Sequence, residues 1–153
     1  MMQSSDAMVI LVRAFNLDGV LADSEGYLAH LFTGDFEFAA TELDGTTIRL
    51  SAQLSGLPTG RPDIARRLLE ANLAGVETGA AALAPDPVGG GLFALVEHVD
   101  MSGMDADAFR LRFVDFMLYV EYWRAEGVAA VLREARREAA ARETVPDAVM
   151  VRA

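Results

Sequence analysis

The chain has 153 residues, of which 52% are hydrophobic and 24% charged, and it contains no cysteine. This length suits one domain with a core of its own, and the absence of thiols excludes disulfide frameworks, thiolate metal sites and cysteine catalysis. The net charge of −10, from 23 acids against 13 bases, disfavours nucleic acid and anionic membrane surfaces as partners.

Ser4, Ser5 and Asp6 offer N-caps, and Met8, Leu11, Val12 and Phe15 then recur on one helical face. The apolar run Met8–Val12 is too short, and wrongly flanked by Asp6 and Arg13, for a signal peptide or a membrane span. A cytoplasmic location is therefore expected.

The segment from Phe15 to Glu25 is similar to the first motif of haloacid dehalogenase-like phosphatases. In that family the leading Asp forms an aspartyl-phosphate. Here Asn16 stands at the nucleophile position, and its amide cannot do the work of a carboxylate. The chain has no lysine, and no paired acids follow to hold Mg²⁺. The segment is read as a helix end and a turn containing Gly19.

Tyr27 to Phe32 reads as a strand and Gly34-Asp35 as a turn. Phe36, Phe38 and Ala40 alternate with Glu37, Ala39 and Thr41, and Ile48, Leu50, Ala52 and Leu54 alternate with Arg49, Ser51 and Gln53. Asp44-Gly45 between them signals a hairpin. A two-residue turn would put the two apolar rows on opposite faces. A three-residue loop, Leu43-Asp44-Gly45, keeps them together, pairs Phe38 with Leu50 and Ala40 with Ile48, and puts Gly45 at a left-handed bulge.

Pro62 suits the first turn of a helix whose apolar stripe is Ile64, Ala65, Leu68, Leu69 and Leu73. Ala80–Ala84 and Leu92–Val99 read as strands around a turn from Pro85 to Gly91. That glycine triplet lacks the Gly-Lys-Ser/Thr ending of a phosphate cradle. Ser102 or Asp105 caps a last helix with the buried stripe Phe109, Phe113, Phe116, Val120 and Trp123, and the charge-rich run Arg133–Glu143 continues it as a solvated face on which Glu134 and Glu138 pair with Arg137 and Arg142. His30 and His98, the two histidines, read as ordinary strand positions rather than ligands. No catalytic residue, metal ligand or cofactor site emerges, so the protein is read as a non-enzyme. The order is α-β-β-β-α-β-β-α, an α+β fold with helices packed on a twisted antiparallel sheet. Residues 1–143 form the domain, and 144–153 form a C-terminal tail open to disorder.

Leu68-Leu69-Glu70-Ala71-Asn72-Leu73, the run Thr78–Asp86, Gly91-Leu92-Phe93-Ala94-Leu95, and Phe113-Val114 with Trp123 together resemble type III secretion effector chaperones of the Tir-chaperone-like family, class I. The resemblance is carried over about residues 60–126; the first helix and the hairpin match in pattern only. It implies a small acidic bacterial cytoplasmic protein, homodimeric and not an enzyme. Such a protein holds the N-terminal segment of a secreted effector extended and export-competent. On this likeness Ile64, Leu68, Leu69 and Asn72 are dimer-interface candidates, and Met8, Leu11, Phe15, Phe32, Phe36 and Phe38 are effector-binding candidates. The alternative is a chaperone-like bacterial adaptor or binding domain without a secretion client. The mean hydropathy of +0.24 despite the charge leaves apolar surface for a partner under either reading.

Overall fold

The computed structural model describes residues 2–14, 19–22, 28–33 and 36–144. In chain order these form α1 (Ser4–Ala14), β1 (Gly19–Ala22), β2 (Leu28–Thr33), β3 (Phe36–Glu42), β4 (Thr47–Pro58), α2 (Pro62–Ala74), β5 (Ala82–Pro85), β6 (Leu92–Asp100), α3 (Ala106–Tyr122), a π-turn (Trp123–Gly127) and α4 (Val128–Glu143). The strands make one antiparallel sheet in the order β1-β2-β3-β4-β6-β5, so the α+β class and the helix-on-sheet architecture are as expected.

One strand is additional. The turn expected around Gly19 is β1, paired with β2 from Gly19↔Phe32 to Ala22↔Ala29. Four residues are too few to show alternation in the sequence; the neighbouring strand supplies the backbone partners that make them a strand. Asn16 and the Gly34-Asp35 turn lie outside the described residues.

The β3–β4 hairpin has the expected three-residue loop and shared apolar face but a different register. Ala40 pairs with Leu50 and Glu42 with Ile48, so each strand is displaced by two residues from the Ala40–Ile48 pairing, and the loop is Asp44-Gly45-Thr46. A slip of two preserves the face, and Phe38, Ala40, Ile48 and Leu50 are all buried together. The cause is Asp44. Its Oδ1 accepts the backbone N–H groups of Thr46 and Thr47, each at 2.8 Å, which draws Thr46 out of the ladder. With the turn held by that carboxylate, Gly45 takes no left-handed conformation, and the expected bulge is absent. The bulge lies instead in β4, where the register with β6 shifts between Gln53 and Pro58 around Gly56 at φ +92°.

The helix-covered face of the sheet carries Phe38, Ala40, Ile48, Leu50, Ala52, Leu95 and Val99. Ala7 and Leu11 of α1, Ile64 and Leu68 of α2, and the full α3 stripe from Phe109 to Trp123 close on it. Asp105, not Ser102, caps α3, accepting from the Ala108 N–H at 2.8 Å. The helix run does not continue unbroken, because the π-turn interrupts it. Nor is α4 wholly a solvated face: Glu134 pairs with Arg137 as expected, but Glu138 takes Arg66 and Arg67 of α2 instead of Arg142. Val131 and Ala135 of α4 are buried, and this packing brings the acids over α2.

Only half of the α2 stripe is core. Ile64 and Leu68 are buried, whereas Leu69 and Leu73 are 62% and 89% exposed. The helix lies beside β5, where the Asn72 amide donates to the Leu83 carbonyl at 2.9 Å and accepts from the Leu83 N–H at 2.8 Å. One side chain thus serves both backbone groups at the outer edge of the sheet. Asn72→Ala should lower unfolding free energy by about 1–3 kcal/mol, the range for stranding half-buried polar partners. Denaturant titration measures this, and a change within error would show that water replaces the amide freely.

Candidate functional site

The helices that fill the core are apolar on a second face as well. Along α3 the stripe Phe109, Phe113, Phe116 and Val120 points inward, while Leu111, Val114 and Leu118 stand outward. A helix apolar on both sides calls for cover on both. Just beyond α2, Val76 is 78% exposed. Val76 and Leu118 meet across a cleft of about 730 Å³ between the 76–80 segment and α3. The exposed apolar residues on and just after α2 and on α3, here the apolar belt, are Val76 and Leu118 in this cleft and Leu69, Leu73, Leu111 and Val114 outside its lining.

The cleft wall is firmly set. Trp123 Nε1 donates to the Glu77 carbonyl at 2.8 Å, and the Tyr122 hydroxyl donates to the Glu77 carboxylate at 2.9 Å. Gly79, at φ +59°, lies against the Tyr119 ring, which any Cβ would approach to 2.4 Å. Burial and then the Glu77 contact push the Tyr122 hydroxyl above its ordinary pKa. On the floor, Glu97 projects from the helix-covered face of β6, is 3% exposed, and is ion-paired with Arg112 of α3. Burial raises the Glu97 pKa, and the Arg112 hydrogen bond works against that rise.

Three carboxylates, one guanidinium and two phenols line the cleft with apolar side chains, and its lining contains no serine, threonine or histidine. Among the described residues no cluster of His, Asp and Glu is placed to hold a metal ion. His98 is exposed, on the face of β6 opposite Glu97, and the side chain of His30 lies outside the described part.

The dimer-interface candidates divide. Leu69 is on the belt, Asn72 is bonded to β5, and Ile64 and Leu68 lie in the chain's own core. Of the effector-binding candidates, Met8 is partly buried on α1, and Leu11 and Phe38 are core residues at 0% and 2% exposure. Phe15 and the side chains of Phe32 and Phe36 lie outside the described part. The sequence reading missed Val76, Leu111, Val114 and Leu118 as surface. The 111-114-118 spacing was the available signal: it marks one helical face opposite the phenylalanines.

A family model described as the Tir chaperone protein (CesT) family matches residues 10–124. The chain belongs to that family. This bears out the resemblance carried by residues 60–126 and makes the protein an effector chaperone of type III secretion. No curated protein matches the chain in sequence. Among solved structures it is similar to a chain of the ExsC–ExsE complex, at 17% identity and a TM-score of 0.60, covering 82% of this chain and 96% of that one. It is similar also to a chain of the HopA1–SchA chaperone–effector complex, at 14% identity and a TM-score of 0.54, covering 75% and 88%. At these identities the likeness is one of fold.

Glu97 gives a pH test. Its folded pKa lies above the ordinary 4.5, so its favourable contribution is complete below that value and is lost as pH rises through the folded pKa. Arg112→Met removes the partner that opposes the rise. The variant should lose about 2–3 kcal/mol at neutral pH, discounted from a fully enclosed pair because Arg112 is partly open to water. The deficit should shrink as pH falls and Glu97 takes up a proton. Thermal melts between about pH 4 and pH 7 measure it, and a pH-independent deficit would rule the mechanism out.

Proposed function

We propose that the protein works as a homodimer in the bacterial cytoplasm and holds the N-terminal segment of a secreted effector in extended form until export. The observation that carries this reading is the apolar belt of α2 and α3, with Leu69, Leu73 and Val76 each more than half exposed. A patch of this kind on a chain of net charge −10 is characteristic of a surface covered by a partner. The second copy covers the belt, continuing the dimer role suggested for Leu69 and Asn72; Ile64 and Leu68 support it from beneath.

The effector takes the other side. α1 presents Met8, partly buried, and Val9, 48% exposed, over a floor that includes Leu11 and Phe38. Phe15, Phe32 and Phe36 extend this groove in the proposal. A flexible segment loses conformational entropy on binding, so its contacts must be spread along its length. Each apolar side chain it buries contributes roughly 1.5–3 kcal/mol toward that cost. The family is one of chaperones, and the proposed action is binding without chemistry or nucleotide.

Light scattering should give twice the 16.4 kDa chain mass at micromolar concentration; a clean monomer would overturn the dimer. Leu73→Asp should yield a folded monomer, because the charge lands on exposed surface that only a partner buries. Leu68→Asp should instead unfold the chain, since that side chain is 1% exposed within one protomer. Val9→Glu should weaken effector binding while leaving the dimer intact. Calorimetry with the effector segment should show a negative heat-capacity change, and a value near zero would exclude an apolar groove.

A further inference from the structure

The cleft between the 76–80 segment and α3 holds more negative charge than it neutralises. Glu77, Glu97 and Asp115 line it beside a single guanidinium, that of Arg112. Arg112 is already committed, because its Nε donates to one oxygen of Glu97. Among the described residues nothing else bonds the Glu97 carboxylate, although that side chain is 3% exposed. The Glu77 carboxylate has only the neutral Tyr122 hydroxyl, at 2.9 Å. Asp115 is exposed and makes no hydrogen bond or ion pair among the described residues. A buried carboxylate with a free oxygen and an exposed carboxylate with no partner thus share one hollow of about 730 Å³.

The rest of the lining suits a cation. The rings of Phe116, Tyr119 and Tyr122 present aromatic surface, on which a guanidinium stacks favourably. Asp115 adds its repulsion to the burial that already raises the Glu97 pKa, so the negative charges act on one another across the cleft.

The mouth of the cleft decides who brings that cation. Val76 and Leu118 stand there, 78% and 57% exposed, and both belong to the belt that a second copy covers in the reading above. A purely apolar cover would take water from three carboxylates that have one guanidinium between them, and charge buried without a partner is costly. The covering surface must therefore carry positive charge. In this chain every base is arginine. Its planar fork can donate to more than one oxygen while its face lies on a ring, which a lysine ammonium cannot do.

We propose that the second copy of the chain places an arginine side chain in this cleft, reciprocally across the two-fold axis, where Asp115 and Glu97 receive it. The proposal rests on the homodimer reading and gives that interface a charged half beside its apolar one. Neither Asp115 nor Glu97 is among the dimer candidates named from the sequence.

Sedimentation equilibrium of wild type and Asp115→Asn tests it. The variant should dimerise at least tenfold more weakly at low ionic strength, and the gap should close as salt rises. The direction of the change discriminates: between copies of net charge −10, losing an acid that met no cation would tighten association. Asp115 is exposed, and circular dichroism checks that α3 is intact. Carboxyl-carbon NMR reads Glu97 directly. Its acid dissociation constant should be at least tenfold larger in the dimer than in Leu73→Gln, a monomer made without adding charge. An Asp115→Asn dimer as tight as wild type or tighter, or an unchanged Glu97 dissociation constant, would overturn the proposal. So would weaker binding of the effector segment with an unchanged dimer, which would make the client the source of the cation. A wild-type chain that stays monomeric would overturn the homodimer reading as well, whereas a dimer indifferent to Asp115 overturns this proposal alone.

Discussion

The indole of Trp123 lies against the Cα of Gly127, where any Cβ would come within 2.4 Å of the ring. That contact needs both the glycine and the wider turn of a π-helix, a distortion frequent where helices serve a second purpose. From this turn three consequences spread. Trp123 turns inward and holds the Glu77 carbonyl, which fixes the 76–80 segment and one wall of the cleft. Arg124, the next residue, reaches the strands and donates to the carbonyls of Glu37 on β3 and, more distantly, of Gln53 on β4. The helix then resumes as α4, so that Val128 and Leu132 lie over Gly56 at the bulge of β4. A regular α-helical turn would swing Arg124 and α4 to different sides of the axis, and the three arrangements could not coexist.

Charge plays a secondary part in stability and a larger one in surface character. Glu138 is shared by Arg66 and Arg67, but these groups are a quarter to a half exposed, and pairs of that kind add little individually. Their work is directional: they fix where α4 crosses α2, beside the Leu69 and Leu73 end of the belt. The net charge of −10 makes copies of the chain repel one another, which opposes indiscriminate association through the exposed apolar side chains.

What the sequence made legible follows from the strength of each local signal. The α3 stripe was readable because five large apolar residues repeat on one face over four turns, and all five are buried. The hairpin face was readable from alternation, but its pairing was not, since alternation is blind to a slip of two and the decisive bond is the Asp44 carboxylate on two backbone amides. In α2 the apolar pattern spanned Ile64 to Leu73 without telling which flank meets the sheet; Asn72, clipped to Leu83, decides it. β1 and the Arg124 bridge had no local signal at all, because both depend on strands distant in sequence.

The division of surfaces bears on how an effector chaperone can grip and release its client. The exposed side chains of α2 and α3 are large and carried on helices, which suits a partner of fixed shape such as the proposed second copy. In the proposed function client segments are different: they arrive without structure and leave the same way, so each contact has to be individually weak. Backbone donation meets that requirement, because it is indifferent to side-chain sequence and its net value per bond is only about 0.5–1.5 kcal/mol.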